Sequence, residues 1–245
     1  MSNLPVALQL WSVREEMNRD FAETVTEVAR IGFAGVELAG YGNLDAKGVK
    51  AALDSAGLRV SGMHVGIAAL RTDPEKVIGE ALMFGTRHVV VPFWQPEQFV
   101  SVAAVEKIAE ELNDAGSKLR ASGLQLSYHN HAGEFKLIDG RTVFDWLLGA
   151  CEPRNVAAEV DVYWVKFAGH SPEKLLRDQG ARVKLVHLKD ETELGGGPVD
   201  FAAVFTAVES IGAAEWYIVE QEKYNHPPLT AVRHCFDQLR RWGKV

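Results

Sequence analysis

The sequence predicts an α/β protein, a closed (β/α)8 TIM barrel built as one domain over residues 1–245. Two observations predict it. Short β-rich apolar runs alternate with amphipathic stretches along the whole chain. The glycine-rich phosphate turn that marks the rival doubly wound sheet is missing, because the first strand runs into SVREEMNRD without a glycine. Strands separated by helices run parallel, since each crossover returns the chain to the same end of the sheet. Eight such units in about 250 residues are the count and size of a closed barrel.

Each element has its own signal. VALQLWSV (Val6 to Val13) reads as the first strand, and Asp20 to Gly32 as a helix with Phe21, Val25, Val28 and Ile31 at helical spacing, an Asp20 cap and a glycine stop. GVELAG is the second strand, LDAKGVKAALDSAG the next helix, and LRVSGMHVG the third strand. DPEKVIGEALMFG follows as a helix with Pro74 in its first turn, then the strand TRHVVVPF and a longer helix over Val100 to Ser122. The second half repeats the rhythm: LQLSYHNH, NVAAEVDVYW, VKLVHLKD and WYIVEQE read as strands. TVFDWLLGAC, SPEKLLRDQG, DFAAVFTAVESIG and Leu229 to Trp242 read as the helices between and after them.

Composition narrows the function. Hydrophobic residues at 47% and charged residues at 24% are ordinary for a globular protein that buries a sizeable core. A formal net charge of −7 argues against a nucleic-acid surface, and the nearest basic cluster, Arg240, Arg241 and Lys244, closes a helix whose dipole favours cations. Cys151 and Cys235 are too few for a disulfide framework and suit a reducing compartment. No apolar run approaches the roughly 18 residues of a membrane span, and MSNLPVALQLWSVREE lacks the pattern of a signal peptide. A cytoplasmic location without membrane or nucleic-acid partners is expected, with a homo-oligomer built from outer helices possible.

In a barrel of this kind the C-terminal strand ends carry the chemistry, because the βα loops meet there. Listed in order, those ends offer Glu37, His64, His129 and His131, Asp161, His187 with Lys189 and Asp190, and finally Glu220 and Glu222. A single strand-end histidine is commonly a satisfied structural residue, and a single aspartate is often a helix cap. Imidazoles and carboxylates converging from four strands instead form a nitrogen and oxygen donor set for a divalent transition metal.

At these residues the chain resembles the sugar phosphate isomerase/epimerase family of xylose isomerase-like barrels, and within it the members related to inosose dehydratase. The likeness runs over essentially the whole chain. It is carried by VALQLWSVR, GVEL, YHNH with the following EF, EVDVYWVKFAG, VHLKD, GGGPVDF and VEQE. It implies one divalent cation (Mn, Co, Mg or Zn) held from the fifth to eighth strands, usually by Glu, Asp, His and Glu. Carried over, these positions become Asp161, His187 and Glu220, with His129 where the first glutamate normally stands. Either His129 completes the set or Glu134 reaches back from the loop. His129 is favoured because it stands on the strand itself.

The implied reaction is isomerisation or epimerisation of a keto-sugar through a metal-stabilised enediolate, with dehydration of an inosose or keto-sugar as the alternative. His131, two residues beyond His129 and so on the same side of an extended strand, is the leading proton-transfer candidate. Glu37 and His64, expected from the opposite side of the rim, and Lys189 complete the catalytic candidates. Gln9, Trp11, Tyr163, Trp164 and Glu134 are the substrate-binding candidates, the aromatic ones by packing on sugar C–H faces. A metal-retaining sugar-binding barrel and an abasic-site endonuclease are the less favoured readings. The acidic charge speaks against the second.

Overall fold

Buried apolar positions on two faces of each strand, rather than one, set the architecture. The computed structural model describes residues 4–245, so Met1 to Asn3, the start of the segment read for a signal peptide, lie outside the described residues. Eight parallel strands close into a barrel: β1 (Val6–Gln9), β2 (Gly35–Leu38), β3 (Arg59–His64), β4 (His88–Val91), β5 (Gln125–His129), β6 (Val156–Asp161), β7 (Val183–Leu188) and β8 (Trp216–Val219). Closure is made by β1 against β8, with Val6 opposite Tyr217 and Leu8 opposite Val219.

Outward side chains of the strands join the inner stripes of the surrounding helices in one continuous apolar layer that includes Leu8, Val36, Leu126, Val186 and Val219. Inward side chains form a second, smaller cluster of Ala7, Val90, Leu185, Trp216 and Ile218, which plugs the barrel's lower half. Above this plug the same inward rows turn polar, as in Ala7 then Gln9, and Leu185 then His187. The period of two along a strand makes that change of character a change of depth. Among the described residues no helix is long and apolar enough to cross a membrane.

Helix ends follow their sequence signals. Asp20 caps the helix Phe21–Ile31 by accepting from the Glu23 N–H, and Gly32 ends it at φ 119°. Asp73, one residue before Pro74, caps the helix Pro74–Phe84, and Ser101 caps the long helix Val102–Ala121.

Two strand readings are corrected. The first strand stops at Gln9, whose side-chain oxygen accepts from the Trp11 N–H and turns Leu10–Val13 into a 3-10 helix. The sixth stops at Asp161, whose Oδ1 accepts from the Trp164 N–H at 2.9 Å and caps the short helix Val162–Phe167. Tyr163 and Trp164 therefore stand on a helix. Further short helices over Arg14–Arg19 and Ile67–Thr72, and a hairpin of Leu137–Ile138 with Arg141–Thr142, are additions in the βα loops. Cys151 lies one residue past the helix Val143–Ala150, and both cysteines are buried free thiols.

One glycine is fixed by packing. A Cβ at Gly116, in the middle of the long helix, would lie 2.2 Å from the Asn155 carbonyl oxygen, so the helix approaches the start of β6 only without a side chain there. Gly79, in the helix Pro74–Phe84, has nothing within 4 Å of its Cβ position. Gly116→Ala is expected to lower stability by about 1–3 kcal/mol through overpacking, and Gly79→Ala to raise it by up to about 1 kcal/mol through helix propensity. Thermal or urea unfolding of the two variants checks the opposite signs.

Candidate functional site

The polar half of the barrel is laid out by register. Gln9 pairs with Glu37, His129 with Glu159, and Asp161 with His187. Register shifts at Val36/Glu37 and Ala158/Glu159 fall beside the polar residues, where bulges commonly re-aim side chains. Glu37, Glu159, Asp161 and His187 are fully buried, and His129 is nearly so.

Two overlapping donor groups result. One joins His129, Asp161, His187 and Glu220, and the other joins His64, His129, Glu159 and His187. In each, one ligand-capable atom per residue lies within 4.8 Å of the others. His187 sits between them: its Nδ1 is 3.1 Å from Glu220 Oε2 and its Nε2 is 2.7 Å from Glu37 Oε2. Asp161 Oδ2 is buried with no hydrogen-bond partner. Asn130 joins the two strand ends, donating to the Asp161 carbonyl and accepting from the Asp161 N–H.

Glu134 is elsewhere. Its Oε1 accepts from the Tyr128 hydroxyl at 2.7 Å and its Oε2 from the His131 N–H at 3.0 Å. Tyr128 belongs to the outer apolar layer, so Glu134 ties the loop to the outside of β5 and stands in neither donor group. Glu37 and His64 do not enter from an opposite side: they meet at 3.0 Å and both belong to the buried centre. That replaces the expectation of a separate flank, and it follows from β2 and β3 being neighbours whose inward rows converge on the axis.

The rim above is a cavity of about 520 Å³ lined by Trp11, His64, Phe93, His129, His131 and Glu220, among others. Lys189 Nζ contacts Glu222 Oε2 at 2.5 Å and Glu220 Oε2 at 3.5 Å, and lies 4.8 Å from the Trp164 ring centroid. His131 packs edge-on to Phe93 and 5.6 Å from the Trp164 ring. Of the substrate-binding candidates, Trp11 lines the cavity. Gln9 is committed, donating to Glu37 at 2.8 Å and accepting from Trp11. Tyr163 is buried against Trp164 and Phe167.

Electrostatics separate the imidazoles. Burial opposes charge on His64, but Glu37 and Glu159 outweigh it and carry its pKa up to about 10. Burial pushes His131 down to about 4, with the Lys189 charge adding to it. Burial lifts Asp161 to about 7 against the pull of Lys189, the behaviour of a buried carboxyl short of a cationic partner. Glu37 goes the other way, since His64 and His187 overcome its burial and hold it well below the usual range.

Glu159, Asn130 and Phe93 were not among the sequence candidates. Glu159 had a signal: it stands two residues before Asp161, so the period of two puts both on the inner face. Asn130 lies inside the YHNH run between two candidates, so its place was marked but not its framing role, and nothing near Phe93 marks a site.

A parallel barrel with imidazoles and carboxylates gathered at the C-terminal ends of its strands defines the class of barrel proteins that work at that rim. The chain belongs to the xylose isomerase-like TIM barrel family, whose profile matches residues 25–242. An inosose dehydratase from Geobacillus thermodenitrificans is 24% identical over 83% of this chain and 82% of its own length. One from Bacillus anthracis is 27% identical over 54% of this chain, which spans about half of that protein (52%). Among solved structures, a sugar phosphate isomerase/epimerase from Parabacteroides distasonis superposes with a TM-score of 0.90 at 22% identity, covering 100% of this chain and 96% of that one. That likeness is one of fold.

Glu134→Ala leaves the Tyr128 hydroxyl and the His131 N–H without their buried acceptor, a loss of about 1–3 kcal/mol in urea unfolding. Divalent-cation binding is expected to persist, since no atom of either donor group is removed. A folded variant that has lost the cation would make Glu134 a ligand.

Proposed function

We propose that the protein is a divalent-cation-dependent isomerase or epimerase of a keto-sugar or similar polyhydroxylated carbonyl compound. The observation that carries this reading is the unpartnered, buried Oδ2 of Asp161 beside the His129, His187 and Glu220 donors. A buried carboxylate oxygen without a partner is costly, and a cation between two imidazoles and two carboxylates removes that cost. His129, Asp161, His187 and Glu220 are the proposed ligands, a nitrogen and oxygen set suited to Mn, Co, Mg or Zn. When bound, the cation supplies Lewis-acid polarisation of a carbonyl and its neighbouring hydroxyl.

The remaining work falls to side chains at the cavity. His131, with its pKa pushed down to about 4, is neutral near pH 7 and accepts the proton released from the polarised carbon. Lys189 is held charged by Glu220, Asp161 and Glu222 against its burial, and it steadies the negative charge that develops on a substrate oxygen. Trp11 and Phe93, both partly exposed in the cavity wall, offer faces to sugar C–H groups. His64 reaches the cavity floor, whereas Glu37 is sealed beneath it and acts through His64 and His187.

The similarity to inosose dehydratases supports a second reading. The same proton removal followed by loss of a β-hydroxyl gives dehydration, and substrate choice decides between the two.

His131→Ala is expected to slow exchange of the substrate's carbon-bound proton in deuterated water by roughly 10²–10⁴-fold while retaining the bound cation. Loss of the cation instead would make His131 a ligand. Asp161→Ala is expected to abolish turnover dependent on Mn²⁺, Co²⁺ or Mg²⁺ in a screen of keto-sugars and inososes. Undiminished turnover in that variant, or in chelator-treated wild type, would remove the rim cation from the reaction.

A further inference from the structure

Beneath the rim lies a second convergence of donors that the proposed reaction does not require. His64 Nε2 is 3.0 Å from Glu37 Oε2 and 2.9 Å from Glu159 Oε2. His187 Nε2 is 2.7 Å from Glu37 Oε2 and 3.3 Å from Glu159 Oε2. Two imidazole nitrogens thus alternate with two carboxylate oxygens around one point. His129 Nδ1 joins from the side, 3.1 Å from Glu159 Oε2.

Hydrogen bonding alone serves this group poorly. Each ring nitrogen carries at most one proton, yet His64 Nε2 and His187 Nε2 each face two carboxylates. Glu159 Oε2 is approached by three imidazole nitrogens at 2.9–3.3 Å. The other oxygens, Glu37 Oε1 and Glu159 Oε1, are buried without any partner. Room for the Glu37 carboxylate is kept by Gly62, whose Cβ would lie 2.7 Å from Oε1.

A cation answers these observations together. Four nitrogen and oxygen ligands at about 2.0–2.1 Å in a tetrahedron stand roughly 3.3–3.4 Å apart. Four of the six edges of such a tetrahedron are 2.7–3.3 Å here, within a few tenths of an ångström of that spacing. We propose that His64, His187, Glu37 and Glu159 form a second divalent-cation site, with His129 in reserve, and that His187 bridges it to the rim site. The bridge uses opposite nitrogens, Nε2 toward the deep group and Nδ1 toward Glu220, so with both cations bound His187 is an imidazolate whose ring proton has passed to solvent. Access is through His64, which lines the cavity. With Glu37, Glu159 and His187 fully buried, the deep shell has no place for the waters that Mg²⁺ retains, which favours Zn²⁺ or Co²⁺. Sharing His129 and His187 links this site to the proposed rim site, but Glu37, His64 and Glu159 belong to it alone.

The test titrates CoCl₂ into chelator-stripped wild-type protein, following the visible absorption of four-coordinate Co²⁺, with metal content measured after gel filtration. Two equivalents are expected in the wild type. Glu159→Gln, His64→Gln and Asp161→Asn are each expected to hold one equivalent. His64→Gln guards against misfolding, because His64 is the one ligand that reaches the cavity. A single equivalent that survives Glu159→Gln and His64→Gln but not Asp161→Asn overturns the second site and leaves the rim site standing. A single equivalent with the reverse pattern supports the deep site and overturns the rim assignment. No binding by folded wild type overturns both.

Discussion

Everything at the centre of this barrel depends on how four buried carboxylates are kept company. Glu37, Glu159, Asp161 and Glu220 project from the ends of three strands into a space closed from below by Trp216, Ile218 and Leu185. An isolated buried carboxylate would cost several kcal/mol or neutralise itself. Three of the four are instead set against imidazoles within 3.3 Å. His187 is the common member, touching Glu37 and Glu159 on one edge of its ring and Glu220 on the other. Asp161 is the exception, and its raised pKa and unpaired oxygen mark where positive charge is missing.

The surrounding loops are held so that they do not compete for this centre. Glu134, a loop carboxylate just beyond the fifth strand, is turned outward by Tyr128 and by the His131 N–H. The same pair of bonds fixes the backbone at His131, so its ring stands between Phe93, Trp164 and the cavity. Asn130 does the complementary work on the inner side by tying β5 to β6 at Asp161. Three consecutive residues therefore have three separate duties: His129 faces the donors, Asn130 holds the frame, and His131 meets the cavity.

Much of this was legible beforehand because it rests on periods. The alternation of apolar runs and helical stripes gave eight strands and a closed barrel, and Asp20 and Gly32 mark helix ends where they were expected. What escaped was local competition. A run such as NVAAEVDVYW is β-rich throughout, yet the Asp161 side chain captures the Trp164 N–H and starts a helix. Gln9 does the same to LQLWSV with a 3-10 turn. Glu159 was hidden differently. It sits among small apolar neighbours in the middle of a strand, and inspection of strand ends passes over a charge one pleat deeper. Its partners, at sequence separations of 30 and 95 residues, exist only once the barrel has closed.

The company each imidazole keeps then orders the chemistry. His64 and His187, each set against Glu37 and Glu159, are driven toward the charged form, His64 to about 10, whereas burial and the neighbouring His187 drive His129 well below the usual range. His131, one level higher and beside the Lys189 ammonium, is driven to about 4. One residue type in one mouth is thereby divided into cationic and neutral forms near pH 7. Separation of that kind is what lets one site both hold negative charge and receive a proton. The division follows from which carboxylates the fold sets against each ring, since His129 and His131, one pleat apart, are both driven toward the neutral form.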